Sequence, residues 1–162
     1  LDAALAHLAT VIRRDIGAEI NEVPGAGAAG GLGGGLIAYL SASLRTGVDI
    51  VLDTVGLDER LEGVDLVITG EGCLDYQTVY DKAPIGVARR AKARGIPVVS
   101  ISGSLGERFT ETHGHGIDAA SAIIGAPMTL EEASTRAAEL VASATEQALR
   151  YMRVGAAVFG SG

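Results

Sequence analysis

Three short apolar segments alternate with helical or polar segments between residues 64 and 125. They read VDLVITG at 64–70, IPVVSISG at 96–103 and AASAIIG at 119–125. Apolar runs of this length are typical of strands buried on both faces, and such strands belong to parallel sheets covered by helices. A helix is predicted from about Pro84 to Arg94, because Pro fits a first turn and Gly95 a helix end. The alternation predicts an α/β fold of three layers with a mainly parallel sheet.

The remaining segments are assigned by the same rules of periodicity. Residues 2–15 predict an amphipathic helix, AEINEV a short strand, GGLIAYLSASLR a helix that stops at Gly47, and VDIVLD at 48–53 a buried strand. Residues 106–113 are expected to be helical or irregular. Thr129 and Glu132 form a capping-box pattern, which predicts the start of a last helix that runs to about Arg153.

Composition narrows the class of protein. Of 162 residues, 48% are apolar and 20% charged, so burial can offset chain entropy and a folded chain is expected. The net charge of −7 disfavours nucleic acid as a partner. Cys73 is the single cysteine, so no intrachain disulfide can form, and we expect a cytoplasmic protein. Because the chain starts at Leu1 and carries no basic and apolar leader, we expect it to be part of a longer protein.

Residues 23–44 hold seven glycines and no charge, and four interpretations compete for them. Membrane insertion is disfavoured because the glycines dilute the hydrophobicity. Gly25, Gly27 and Gly30 match the dinucleotide pattern G-x-G-x-x-G, but the polar EINEVP before them does not read as the buried strand that this pattern needs. Two interpretations are favoured over these: close helix packing, and backbone amides presented to an anionic ligand.

Polar side chains follow the strand at 64–70. They are Glu71, Asp75, Gln77, Thr78 and Lys82. The carboxyl end of a parallel strand is where such sheets bind ligands, and carboxylates beside a lysine suit Mg²⁺, phosphate or proton acceptance from a hydroxyl. The loop SISGSLGE at 100–107 adds a second glycine-rich turn at the same edge. The alternative is a solvated polar loop. His113, His115 and Cys73 lack marked partners, so a metal or nucleophilic role is not expected for them.

Five stretches resemble the C-terminal half of the bacterial type 1 glycerate kinases. They are PGAGAAGGLGGGLIAYL, GVDIVLDTVGLDERLEGVDLVITGEGCLDYQT, KAPIGVARRAK, PVVSISGS and GIDAASAIIGAPMTLEEA. The resemblance implies phosphorylation of D-glycerate to 2-phosphoglycerate with ATP and Mg²⁺. It also implies a Rossmann-like or flavodoxin-like domain at 62–162 and the end of an inserted α/β domain at 1–61. The N-terminal half of that family is absent here, so we expect the chain to pair with it or to self-associate.

The resemblance implies a set of site residues. Asp75, Lys82 and Glu71 would be catalytic, with Asp75 as the metal ligand. Substrate and nucleotide would contact Gly25, Gly27, Gly30, Gly31, Gly70, Gly72, Gln77, Thr78, Ser102, Gly103 and Ser104. Two residues depart from the family pattern, Cys73 in place of Arg and Asp81 in place of Gly, and both changes are expected to weaken anion binding. The alternatives are a non-catalytic assembly or binding module and an NAD-binding oxidoreductase.

Overall fold

The computed structural model describes residues 1–160. By its internal contacts the chain divides into two compact units, Leu1–Thr46 and Gly47–Gly162. These units are defined by contacts. The domain boundary between residues 61 and 62, which the family resemblance implies, stays a prediction. Within the described residues, no helix is long and apolar enough to cross a bilayer.

The first unit is a pair of helices, α1 (Asp2–Ile16) and α2 (Ala28–Leu40). The predicted first helix is confirmed, and it ends where Gly17 adopts a left-handed conformation at φ 71°. Ile12 is fully buried and packs with Ile20 and Ala26 to form this unit's core. Helix α2 is kinked near its start, because residues 29–31 all have positive φ.

The second unit contains the expected parallel sheet. Strands β1 (Val67–Thr69), β3 (Val98–Ser102) and β5 (Ala119–Ala122) lie in the order β1-β3-β5, and both pairings are parallel. A second parallel pair, β2 (Cys73–Leu74) with β4 (Ser104–Leu105), continues from the loops that leave β1 and β3. The connections are therefore crossovers, as the alternation of strands and helices predicts.

Helices cover both faces of the three-stranded sheet. On one face, α5 (Ala83–Lys92) packs Ile85 and Ala88 against Val67 and Val98. On the other face, the odd-numbered residues of β3 and β5 face α7 (Ala137–Phe159) and the short helix α6 (Leu130–Thr135). Two 3-10 helices, Tyr76–Val79 and Phe109–His115, complete the unit. The three-layer α/β class predicted from the sequence is confirmed.

One predicted strand is a helix. VDIVLD lies in α3 (Gly47–Thr54), which α4 (Leu57–Arg60) follows. A short apolar run is compatible with a strand or with a helix, and here tertiary contacts stabilise the helix. Val48 and Leu52, four residues apart, both lie against Gly86 of α5, where an added Cβ would be 2.5 Å from Val48 and 3.1 Å from Leu52. The helical spacing also directs Asp49 and Asp53 to the same arginine, Arg90, at 3.3 Å and 2.6 Å.

Other boundaries also differ from the sequence predictions. AEINEV forms no strand, and α2 ends at Leu40, where Ser41 takes a left-handed conformation at φ 53°. The last helix is two helices, because the chain leaves helical geometry at Arg136 between α6 and α7. Its predicted start is confirmed: the Thr129 hydroxyl accepts a hydrogen bond from the Glu132 amide at 3.1 Å.

The Asp118 side chain links β3 to α5 through contacts whose strength depends on pH. Its carboxylate accepts hydrogen bonds from the Lys92 ammonium at 2.9 Å and the Val98 amide at 2.7 Å, which lower the pKa of Asp118 below its ordinary 3.8. A carboxyl whose pKa is lower in the folded chain stabilises the fold above its unfolded pKa, and that stability is lost as the pH falls through the folded pKa.

We expect Asp118→Asn to lower the free energy of unfolding by about 1 kcal/mol at neutral pH, since an exposed ion pair and one hydrogen bond are weakened. The difference from the unsubstituted chain should shrink as the pH falls below about 4. Urea unfolding at several pH values measures it. Asp65→Asn, at an exposed aspartate of the same unit, is the control, and a pH-independent effect of Asp118→Asn would contradict the assignment.

Candidate functional site

Parallel pairing of β1 with β3 brings two glycine-containing turns side by side. Beyond the strands, the Gly103 amide donates to the Glu71 carbonyl at 2.9 Å and the Ser104 amide to the Gly72 carbonyl at 3.0 Å. A side chain at Gly70 would collide with the Ile101 carbonyl, and one at Gly103 with the Gly72 carbonyl. Glycine is required at both positions because the two backbones touch there.

Glu71 and Asp75 flank the ammonium group of Lys82. The Lys82 Nζ lies 3.7 Å from Glu71 Oε2 and 3.8 Å from Asp75 Oδ1. The two carboxylate side chains are only 18% and 22% exposed, and the lysine side chain is 40% exposed. The ammonium group therefore stands at the opening of a partly buried acidic pair, where it is accessible to a ligand.

The short helix that follows Asp75 holds both acids in place. Asp75 caps it, accepting from the Gln77 amide at 2.8 Å through Oδ1. The Thr78 hydroxyl is fully buried; it accepts from the Asp75 amide at 3.0 Å and donates to Glu71 Oε1 at 2.6 Å. One hydroxyl thus links the backbone of Asp75 to the carboxylate of Glu71.

A cavity of about 410 Å³ opens beside the two turns. On its polar side lie Glu71 and Ser104, together with the backbone of Gly70, Gly72 and Gly103. The rest of its lining is mostly apolar and comes from the strand ends and from α6 and α7: Ile101, Ile123, Ile124, Leu130, Ala133, Ser134, Ala137 and Val141. An apolar pocket with a few polar groups at one end is the usual form of a small-molecule site.

The structure gathers most of the predicted site residues, but not all of them. Within the second unit, Glu71, Asp75, Thr78 and Lys82 are joined by direct contacts, and Gln77 meets Asp75 only through its amide. Of the other predicted site residues in that unit, Gly70, Gly72, Gly103 and Ser104 line the cavity. Ser102 lies inside the sheet and is 1% exposed.

The predicted glycines of the first unit fall into two groups. Gly31 is buried, and a Cβ there would lie 2.6 Å from the Leu5 side chain of α1. Gly25, Gly27 and Gly30 are exposed. Close packing therefore accounts for Gly31, whereas ligand binding by the exposed three stays a prediction. Because residues 18–23 form no strand, the arrangement that a dinucleotide fingerprint requires is absent from this unit.

Sequence reasoning missed two parts of this region. The apolar wall from α6 and α7 was not predicted, because those residues read as an ordinary helix face. The ion pair between Asp81 and Arg89 was missed as well: Arg89 Nη1 lies 3.2 Å from Asp81 Oδ1, and Nη2 lies 2.8 Å from Asp49 Oδ1. The Asp81 charge is thus paired on α5, whereas its expected weakening of anion binding stays a prediction. Cys73 is exposed and free.

We expect Thr78→Val to lower the free energy of unfolding by about 1–3 kcal/mol, because a partly buried carboxylate oxygen and a backbone amide lose their shared partner. Thr78→Ser is the matched control, since it keeps the hydroxyl and loses one methyl group. Urea unfolding of both variants measures the difference. Equal stability of the valine and serine variants would contradict the bridging role.

Asp81 adopts a left-handed conformation at φ 54°, immediately before Lys82. This conformation costs a residue with a Cβ about 1–2 kcal/mol relative to glycine. Asp81→Gly and Asp81→Ala both remove the ion pair with Arg89, and only glycine removes the strain. We therefore expect the glycine variant to be more stable than the alanine variant by about 1 kcal/mol in thermal or urea unfolding. A more stable alanine variant would show that the turn is not strained.

The chain matches the family model described as "Glycerate kinase family" over residues 1–153. It is 48% identical over 154 residues to a glycerate kinase of Halalkalibacterium halodurans, a match that covers 95% of this chain and 40% of the relative. It is 41% identical over 155 residues to the glycerate 2-kinase of Escherichia coli, covering 96% of this chain and 41% of the relative.

A crystal structure described as a candidate glycerate kinase 2 from Salmonella typhimurium LT2 superposes with a TM-score of 0.66 at 40% identity, covering 95% of this chain and 39% of that one. The chain therefore spans about two fifths of the length of these relatives, within their C-terminal half. The resemblance inferred from the glycine-rich and acidic motifs is confirmed: this chain belongs to the glycerate kinase family.

Proposed function

We propose that this chain carries the phosphoryl-transfer residues of an ATP-dependent D-glycerate kinase. The observation that carries the proposal is the Lys82 ammonium held 3.7 Å from Glu71 and 3.8 Å from Asp75, beside two glycine turns at the carboxyl end of a parallel sheet. Family membership adds ATP as the phosphate donor. The relatives named above are glycerate kinases, which supports glycerate as the acceptor.

In this proposal the C2 hydroxyl oxygen of D-glycerate attacks the γ-phosphorus of ATP. The new O–P bond forms as the bond from the γ-phosphorus to the bridging oxygen breaks, giving 2-phosphoglycerate and ADP. Asp75 accepts the hydroxyl proton through Oδ2, because its Oδ1 already faces the Gln77 amide and the Lys82 ammonium. Lys82 stabilises negative charge on the transferring group.

Glu71 has a supporting role in this scheme. Its Oε1 is held by Thr78 at 2.6 Å and its Oε2 faces Lys82, so it orients the ammonium group. Orientation of this kind raises the rate because the charge is in place before the reaction begins.

The residues fit a magnesium ion that is bound together with nucleotide. Glu71, Asp75 and Lys82 carry a net charge of −1, which favours a cation. Mg²⁺ usually takes one or two carboxylates and completes its octahedron with phosphate oxygens and water. Across residues 1–160, no group of three or more His, Cys, Asp or Glu residues forms a site of its own. Asp75 Oδ2 would hold the ion as the alternative to accepting the hydroxyl proton, since one oxygen cannot do both at once, and the ion would neutralise phosphate charge.

The cavity beside the turns is the proposed place of the nucleotide. Its volume of about 410 Å³ and its apolar wall suit a planar base and a sugar, and its polar end opens toward the backbone of Gly72 and Gly103. The exposed glycines of the first unit, Gly25, Gly27 and Gly30, are proposed as a further source of amides for an anionic group.

The remaining region found in the relatives, or a second copy of this chain, is the proposed partner. Apolar side chains on the second half of α7 are exposed, among them Tyr151 at 75%, Val154 at 62% and Phe159 at 84%. An apolar helix face of this kind is typical of an assembly surface. The same observation favours the second candidate function, a non-catalytic assembly module. A cytoplasmic location, consistent with the single cysteine, is also proposed.

The test is a coupled assay of ADP formation with ATP, Mg²⁺ and D-glycerate. It uses this chain alone and a chimera in which the chain replaces the matched segment of the E. coli glycerate 2-kinase. We expect glycerate-dependent ADP formation by the chimera, with Lys82→Met lowering kcat at least about 100-fold, since a charged contact in the transition state is worth roughly 3 kcal/mol. Cys73→Arg should raise kcat/KM by restoring the family's arginine.

Lys92→Met is the matched control, because Lys92 is the last residue of α5, which begins just after Lys82, and it pairs with Asp118 rather than with the acidic pair. A chimera that is folded by circular dichroism and forms no ADP would count against the kinase proposal. Loss of activity in the Lys92 variant equal to that in the Lys82 variant would remove the role assigned to Lys82.

A further inference from the structure

Two serines lie in the most deeply buried strand of the sheet. All five residues of β3 are buried, and Ser100 and Ser102 are 0% and 1% exposed. Because strand residues alternate between faces, both serines share the face of Val98, which packs against α5. A buried hydroxyl destabilises a core unless it is hydrogen-bonded, and alanine would fill nearly the same space without that cost.

The two hydroxyls form a chain that ends at the backbone of Glu71. Ser100 Oγ and Ser102 Oγ are 2.8 Å apart, and the Glu71 amide donates to Ser102 Oγ at 3.3 Å. The ladder between β1 and β3 ends with Thr69 opposite Ser100, so Glu71 lies beyond the last strand pairing. The Ser102 hydroxyl therefore accepts the hydrogen bond that a carbonyl of a neighbouring strand would otherwise accept from the Glu71 amide.

Glu71 is held at three points in total. Besides the Ser102 contact, the Thr78 hydroxyl donates a hydrogen bond to its carboxylate at 2.6 Å, and the Gly103 amide donates one to its carbonyl at 2.9 Å. A shift of the Glu71 backbone would therefore move the carboxylate that faces Lys82.

We propose that Ser102, supported by Ser100, is a positioning residue that fixes the Glu71 backbone and through it the Lys82 ammonium. The effect on catalysis rests on the proposed kinase function. The fixing of the Glu71 backbone by Ser102 does not depend on it. The resemblance implies that Ser102 contacts substrate or nucleotide, and that contact stays a prediction beside the positioning role. At 1% exposure its hydroxyl serves the backbone behind the site.

The first measurement is hydrogen exchange of the Glu71 amide by NMR on the full chain, which needs no turnover. Its rate is referred to the Ile96 amide, which donates to the Ala91 carbonyl at 3.0 Å, away from the serines. We expect Ser102→Ala to raise the relative exchange rate at least about tenfold and Ser100→Ala to raise it less. Ser102→Thr, which keeps the hydroxyl, should restore protection.

Val98→Ala is the control for a merely structural effect, since it opens the same strand on the same face without touching Glu71. An unchanged relative exchange rate of Glu71 in Ser102→Ala, or an equal rise in Val98→Ala, would overturn the proposal.

The second measurement is steady-state kinetics in the chimera. We expect Ser102→Ala to lower kcat about tenfold with KM for ATP changed less than twofold, and Val98→Ala to leave both near their original values. Equal kinetics of the two alanine variants would overturn the positioning role. If the unsubstituted chimera shows no turnover, the kinase proposal fails, and the exchange rates alone decide whether Ser102 fixes Glu71.

Discussion

Contact between two backbones at the end of the parallel sheet underlies the whole candidate site. β1 and β3 run side by side in register, and the turns that leave them stay in contact because Gly70 and Gly103 carry no side chains. Through this contact the Glu71 peptide is hydrogen-bonded to the loop after β3. The acidic pair, the lysine between its members and the adjoining cavity all depend on that contact, since each includes a residue of these turns or a partner of Glu71.

The two acids of the site and its lysine differ in how many contacts hold them and in how exposed they are. Glu71 and Asp75 are placed by a buried hydroxyl and by the cap of a short helix, whereas Lys82 reaches them across 3.7–3.8 Å and keeps 40% of its side chain exposed. In the proposed kinase function, this arrangement leaves the ammonium group open to a phosphate group while its two carboxylate partners stay hydrogen-bonded.

Asp81 and Cys73, the two residues at which the resemblance implies Gly and Arg, have different surroundings. Asp81 occupies a left-handed turn where glycine is the unstrained choice, and its carboxylate is taken up by Arg89 on α5. Cys73 is exposed in β2, where the arginine that the resemblance implies would place a cation in the region beside the acidic pair.

The sequence alone determined the α/β class, the three parallel strands and the position of the acidic loop after β1, because buried strands and helix caps leave local signatures. It did not determine the state of VDIVLD, which is helical because Gly86 admits Val48 and Leu52 and because Arg90 pairs with Asp49 and Asp53. Nor did it show that Ser102 faces the core or that α6 and α7 wall the cavity. Those features arise from contacts between residues far apart in the chain, and only tertiary packing brings such residues together.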